Sequence, residues 1–210
     1  RSYAALALGS IGSGAKDAVP ALMQALQDQN ENVRDSAAWA LGSIGSGSVD
    51  AVPALIQLLQ DQNWDVRNSA AMALGQIGKD AVPALIQALQ DQDSLVHMNA
   101  AWALGQIGKD AVSALIPLLQ DQNKDVRLHA VNALGQIGKD AVPALIPLLQ
   151  DQDKWVRVYA SGALGKIGTP DAIKTAVSVL IQLLQNQDVS VRVNAAEALG
   201  SIEEGAVDAV

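Results

Sequence analysis

One phrase recurs seven times along this chain: AALALGSIG ending at Gly12, then AAWALGSIG, AAMALGQIG, AAWALGQIG, AVNALGQIG, ASGALGKIG and AAEALGSI ending at Ile202. Such copying constrains folding more than composition does, because a short unit that cannot bury its own apolar face must bury it against the next copy. A partner phrase, AVPAL or a close variant, starts at Ala18, Ala51, Ala81, Ala111, Ala141 and Ala176, at separations of 33, 30, 30, 30 and 35 residues. That period is too long for a coiled coil and fits a helical hairpin.

The partner phrase reads as the first helix of each pair. Val19, Leu22, Met23 and Leu26 recur at i, i+3, i+4 and i+7, the apolar stripe of a helix. Asp17 is the N-cap candidate, with Asp50, Asp80, Asp110 and Asp140 in the same role, and Pro20 falls in the first turn, where its missing N–H is harmless. The helix is expected to end between Gln27 and Asn30, with a second helix starting at Glu31 or Asn32. So short a turn makes the two helices antiparallel neighbours. Val33, Ala37, Ala40, Leu41 and Ile44 share one arc of the second helix, and Gly45 is its C-cap. Gly42 recurs as Gly9, Gly75, Gly105, Gly135, Gly165 and Gly200 inside that helix, at about 1 kcal/mol each relative to Ala; close helix packing is the expected reason. Pro117 and Pro147 are expected to kink their helices, and the extra residues at Gly168–Asp171 to lengthen the first helix or its approach.

The predicted architecture is all-α, a right-handed α-solenoid of stacked antiparallel helix pairs. It forms a single domain over 1–210: a partial repeat at 1–16, repeats at 17–49, 50–79, 80–109, 110–139, 140–170 and 171–207, and a partial start at 208–210. The order Asp28, Val33, Arg34, Ala37, Ala38, Leu41, Gly42, Ile44 resembles HEAT repeats, in the short HEAT-like form found in cyanobacterial bilin lyases. The resemblance covers essentially the whole chain, and engineered helical-repeat scaffolds use a similar consensus. It implies a pairing of a turn Asp with an Arg six residues on: Asp28/Arg34, Asp61/Arg67, Asp121/Arg127 and Asp151/Arg157. These are expected to form a ladder of charge-assisted hydrogen bonds between turns, weaker or pH-sensitive where Asp91 meets His97 and where Asn186 precedes Arg192.

Composition removes several functions. The net charge of −8, with no run of Lys or Arg, lacks the electrostatic footprint of a nucleic-acid binder. Cys is absent, so no disulfide, thiol nucleophile or thiolate metal site exists. No apolar stretch approaches 18 residues and no targeting signal is visible, so no membrane partner is expected and the cytoplasm is the expected compartment. His97 and His129 lack neighbours at metal-ligand spacing, and the adjacent His-Glu pairs of HEAT-like deoxyhypusine hydroxylases are missing, since Met98 and Ala130 follow. No serine sits in a nucleophile elbow. The segments GSGAK (Gly12–Lys16) and GSGSV (Gly45–Val49) lack the ending of a phosphate loop. No cofactor and no enzymatic activity are expected.

Function is sought in what refuses to repeat. Within the recurring phrase one position runs Leu6, Trp39, Met72, Trp102, Asn132, Gly162, Glu197, away from the apolar arc. Four residues earlier stand Ser2, Asp35, Asn68, Met98, Leu128, Val158 and Val193; three earlier stand Tyr3, Ser36, Ser69, Asn99, His129, Tyr159 and Asn194. Leu95 and Trp155 lie one turn nearer the helix start. In HEAT-like arrays the second helices line the concave side, so the resemblance implies a groove carrying Tyr3, Leu6, Trp39, Met72, Met98, Trp102, Leu128 and Tyr159. Aromatic and Met side chains exposed there are typical interface anchors. The expected function is a noncatalytic scaffold that binds a peptide or protein. Alternatives are a bilin lyase or bilin carrier, as the resemblance suggests, and a structural or engineered self-stacking array. The last follows from apolar stacking faces at the ends, which predict end-to-end self-association.

Overall fold

The computed structural model of the chain describes residues 1–91 and 93–207; the partial start at 208–210 lies outside the described residues. Every regular element is helical, with no strand among the described residues. Two compact units divide the chain, Arg1–Asp110 and the residues from Ala111 onward.

In the first unit the second helices are α1 (Ser2–Ile11), α3 (Glu31–Ile44), α5 (Trp64–Ile77) and α7 (Ser94–Ile107). Between them run the shorter first helices α2 (Val19–Ala25), α4 (Val52–Gln57) and α6 (Val82–Ala88). α1 packs on α3, α3 on α5 and α5 on α7, and each of α2, α4 and α6 packs on the second helix that follows it. The division falls within α8 (Lys109–Leu115), and the second unit goes on with α9 (Lys124–Ile137), α10 (Val142–Leu145), α11 (Lys154–Ile167), α12 (Pro170–Leu183) and α13 (Val189–Val207). There α9 packs on α11, and α11 on both α12 and α13. The predicted hairpins are therefore present as stacked helix pairs.

The repeated letters form the core. Ala37, Ala40 and Leu41 are buried, as are their counterparts Ala70, Ala73 and Leu74, Ala130, Ala133 and Leu134, and Ala160, Ala163 and Leu164. Gly9 and Gly42 do serve close approach, whereas nothing among the described residues lies within 4 Å of a Cβ added at Gly200. A Cβ on Gly42 would stand 2.8 Å from the Ala73 Cα on α5, and one on Gly9 would stand 2.9 Å from the Ala40 Cα on α3. Gly45, with φ of 69°, ends α3 in backbone territory that only glycine enters easily.

Helix starts differ from the sequence reading. Asp17, Asp50, Asp80 and Asp140 cap nothing: each lies inside a 3₁₀ turn that leads into the first helix. Asp110 lies within the first turn of α8. A capping side chain needs a residue in extended backbone ahead of the free N–H groups, and the chain enters α2 already helical, with φ −84° and ψ −9° at Ala18. The working caps precede the second helices instead. Asn30, Asn63, Asp93, Asn123 and Asp153 are extended and accept from the backbone N–H two residues on.

α8 and α10 stop at Leu115 and Leu145, and 3₁₀ turns at Ile116–Gln120 and Ile146–Gln150 carry Pro117 and Pro147. The added residues after Gly168 make α12 a continuous 14-residue helix with Pro170 in its first turn, where φ is already suited to a helix.

Candidate functional site

The ladder is built differently from its sequence reading. The Arg six residues after each turn Asp donates to main-chain carbonyls, not to that carboxylate: Arg34 Nη1 to Asp28 O at 2.8 Å, Arg67 Nη1 to Asp61 O at 2.7 Å, and Arg127 and Arg157 to Asp121 O and Asp151 O at 2.6 Å each. Each carboxylate turns to its own loop. Asp28, Asp61, Asp121 and Asp151 accept from the N–H of Asn30, Asn63, Asn123 and Asp153.

Where a turn carboxylate gains a cation, the cation comes from the preceding repeat. Arg34 Nε and Nη2 donate to Asp61 at 2.8 and 3.0 Å, and Arg1 donates to Asp28 at 2.7 Å. Burial pushes the Asp61 carboxyl up, but bonds from Arg34 and the Asn63 N–H outweigh it and hold it below the usual carboxylate value. The Asp28 carboxyl is likewise lowered, by the Asn30 N–H and then by Arg1.

The two irregular rungs follow from this geometry. At Asn186 the contact within the repeat is kept, because Arg192 Nη1 bonds the Asn186 carbonyl at 2.8 Å. His97 is buried, and its Nε2 meets the Asp91 carbonyl, the acceptor an Arg takes elsewhere. Arg127 lies over the Tyr159 ring, 5.2 Å from its centroid, and its Nε is buried without a hydrogen-bond partner. Lys154 reaches Asp188 at 2.5 Å and lowers that carboxyl.

The variable stripe separates into two faces. Leu6 on α1, Met72 on α5, Leu95 and Met98 on α7 and Leu128 on α9 are exposed, as is Asn132, with Met98 at 49%. Trp39, Trp102 and Trp155 are half-buried. The Trp39 ring sits on α1, since a Cβ on Gly9 would meet its Cζ3 at 2.3 Å. Tyr159 requires correction as an exposed anchor: it is 4% exposed and stacks with Trp155 at 6.3 Å between ring centroids.

The reason is register. Ser36 shares a bond with Ser2, Ser69 donates to Asp35, Asn99 donates to Leu59 O, and Tyr159 lies under Arg127. This position faces the preceding repeat rather than open surface. Tyr3 occupies the same register and is 88% exposed on α1, the first helix of the structure.

Trp64 escaped the sequence comparison. At the first position of α5 it is 63% exposed, yet it stands outside the varying phrase. Its counterparts Glu31, Ser94, Lys124, Lys154 and Val189 could have revealed it. Among the described residues no group of three or more His, Asp or Glu could hold a metal ion. No helix there is long and apolar enough to cross a membrane.

Stacked helix pairs with Gly-mediated contacts and main-chain-bonded arginines define a helical-repeat scaffold. The HEAT repeats family matches residues 1–75, 52–121 and 112–177, and the chain belongs to that family. The armadillo/β-catenin-like repeat matches residues 170–202. Comparison with curated proteins gives no match. Among solved structures, an engineered protein is 28% identical over 89% of this chain and 97% of its own, with a TM-score of 0.38. The CpcE–CpcF complex of phycocyanin lyase from Nostoc sp. PCC7120 is 25% identical over 71% and 98%, with a TM-score of 0.46. The archaeal HEAT-like repeats protein from Thermococcus onnurineus NA1 is 16% identical over 96% and 93%, with a TM-score of 0.44.

Proposed function

We propose that the chain is a noncatalytic binding scaffold that holds a peptide or protein against its second helices. The observation that carries this reading is the set of exposed apolar side chains on two packed helices of the first unit: Met72 on α5, and Leu95 and Met98 on α7. Single exposed apolar residues need no explanation, whereas several on two helices that pack together favour an interaction surface. Met adapts to varied partners, and the half-buried Trp102 adds a rigid aromatic surface. The net charge of −8 favours a basic or neutral partner and works against nucleic acid.

The test is peptide display selection on the wild-type chain, followed by affinity measurement with Met72→Ser and Met98→Ser together. Neither residue belongs to the buried core, so the fold is expected to survive with a modest loss of stability while affinity falls about tenfold or more. Unchanged affinity for the selected peptides would reject this surface as the binding face. Titration with a free tetrapyrrole is expected to leave the visible absorption of the pigment unshifted; a saturable shift would overturn the noncatalytic reading in favour of a bilin-handling protein.

A further inference from the structure

A concavity in the second unit lies at the one point where the variable stripe has no side chain. The position filled by Asn132 on α9 and Glu197 on α13 is Gly162 on α11. A cavity of about 180 Å³ opens over it. A Cβ added to Gly162 would find only Ala198 Cβ at 3.8 Å and Val131 Cγ1 at 3.9 Å. This glycine is unlike Gly42 or Gly9: nothing packs closely on it, so close helix approach does not explain it.

The walls sort by polarity. Val131, Val158 and Tyr159 are buried and, with Ala198, line the cavity with carbon. The exposed Asn132, Lys166 and Glu197 stand at its mouth, and Lys166 Nζ donates to Asn132 Oδ1 at 2.8 Å. The mouth therefore offers one cation, one anion and amide groups, while the interior offers no charge. A ligand that fits buries an uncharged apolar group and keeps its polar part at the rim.

Size narrows the ligand further. An engineered cavity of about 150 Å³ holds benzene, whereas pockets for drug-sized molecules run to about 300–1,000 Å³. The space over Gly162 takes one side chain, not a large cofactor. We propose that it is the socket for a single leucine- or methionine-sized side chain of a bound peptide whose main chain crosses the Asn132–Lys166–Glu197 rim. The proposal rests on the peptide-binding reading above and names the anchor residue that reading lacks.

Two measurements test it on the full chain. Methyl NMR with N-acetyl-leucine amide and N-acetyl-methionine amide is expected to give saturable shifts at Leu128, Val131 and Val158. N-acetyl-glutamate amide is expected to give none. Gly162→Leu fills the space and abolishes the shifts, whereas Gly162→Ala keeps them. If Gly162→Leu fails to fold, Ala198→Met fills the same space from α13. Peptides selected on the wild type are expected to carry Leu or Met at one position and to lose about tenfold or more in affinity for the filled variant.

No saturable shift at these methyls, or shifts that survive filling, would overturn the socket. Fragment binding without any effect of filling on selected peptides would overturn the peptide occupant and leave a small-molecule site. Loss of peptide binding on changing Met72 and Met98, with no effect at Gly162, would sink the socket alone; the reverse would reject the first-unit surface and keep the socket.

Discussion

Replacing Asp61 by Asn separates two roles that its carboxylate holds. Oδ1 accepts from the Asn63 N–H at 2.9 Å and from Arg34 Nη2 at 3.0 Å, while Oδ2 accepts from Arg34 Nε at 2.8 Å. An Asn side chain can keep the Oδ1 bonds, as Asn186 does for the Asp188 N–H at 3.0 Å, but it sets an NH₂ group against the Nε–H. What is lost is one hydrogen bond between charged groups, about 1.5–3 kcal/mol. Arg34 keeps its main-chain acceptors and the pair lies at the edge of solvent, so the expected loss is roughly 1–2 kcal/mol.

The same change at Asp151, whose carboxylate accepts the Asp153 N–H at 2.8 Å and pairs with no cation among the described residues, is expected to cost about 0.5 kcal/mol or less. Urea unfolding followed by tryptophan fluorescence, at unchanged m, measures both. The Asp61 carboxyl is held below its ordinary value. A group so lowered stabilises fully above its unfolded value and ceases to do so as pH falls through the folded one. The gap between wild type and Asp61→Asn is therefore expected to persist at neutrality and to close as pH drops below about 4. Equal losses at Asp61 and Asp151, or a gap independent of pH, would refute the assignment.

Glycine substitutions are expected to act in opposite directions. Gly42→Ala pushes a Cβ to 2.8 Å from the Ala73 Cα and forces α3 from α5, costing about 1–3 kcal/mol. Gly162→Ala makes only ordinary contacts and gains up to about 1 kcal/mol of helix propensity; thermal unfolding of both variants checks the signs. Asn186→Asp is expected to leave stability within about 0.5 kcal/mol, because the Arg192 bonds are to main-chain carbonyls; a clear gain in the urea midpoint would show a carboxylate contact after all. Loss of selected-peptide affinity on changing Met72 and Met98, read by calorimetry, remains the test of the proposed surface.

The helices were legible because each signal is local. Apolar spacing at Val19, Leu22, Met23 and Leu26 places α2, and Gly45 marks the end of α3 through a φ that other residues avoid. The caps were misread because Asp17 and Asn30 both precede helical runs, and only the backbone approaching each decides which is extended. The pairing within the ladder was misread for a related reason, although charged bonds between neighbouring turns do form at Arg1–Asp28 and Arg34–Asp61. Asp28 and Arg34 lie six residues apart, but sequence spacing does not say whether a guanidinium meets a carboxylate or a carbonyl, or whose carboxylate it meets.

The stripe shows the same division. Periodicity gave Trp39, Met72 and Tyr159 an angular position on their own helices. Whether a sector at that angle is open depends on how closely the next helix stacks, and on what it carries. Met72 and Met98 stay open, Trp39 seats on Gly9, and Tyr159 is covered by Arg127. The sequence by itself determined a stack of helical pairs, since copied apolar arcs have no other way to be buried. Only the tertiary structure decided which faces of those helices remain available to a partner, because exposure is set by contacts between repeats that no single repeat encodes.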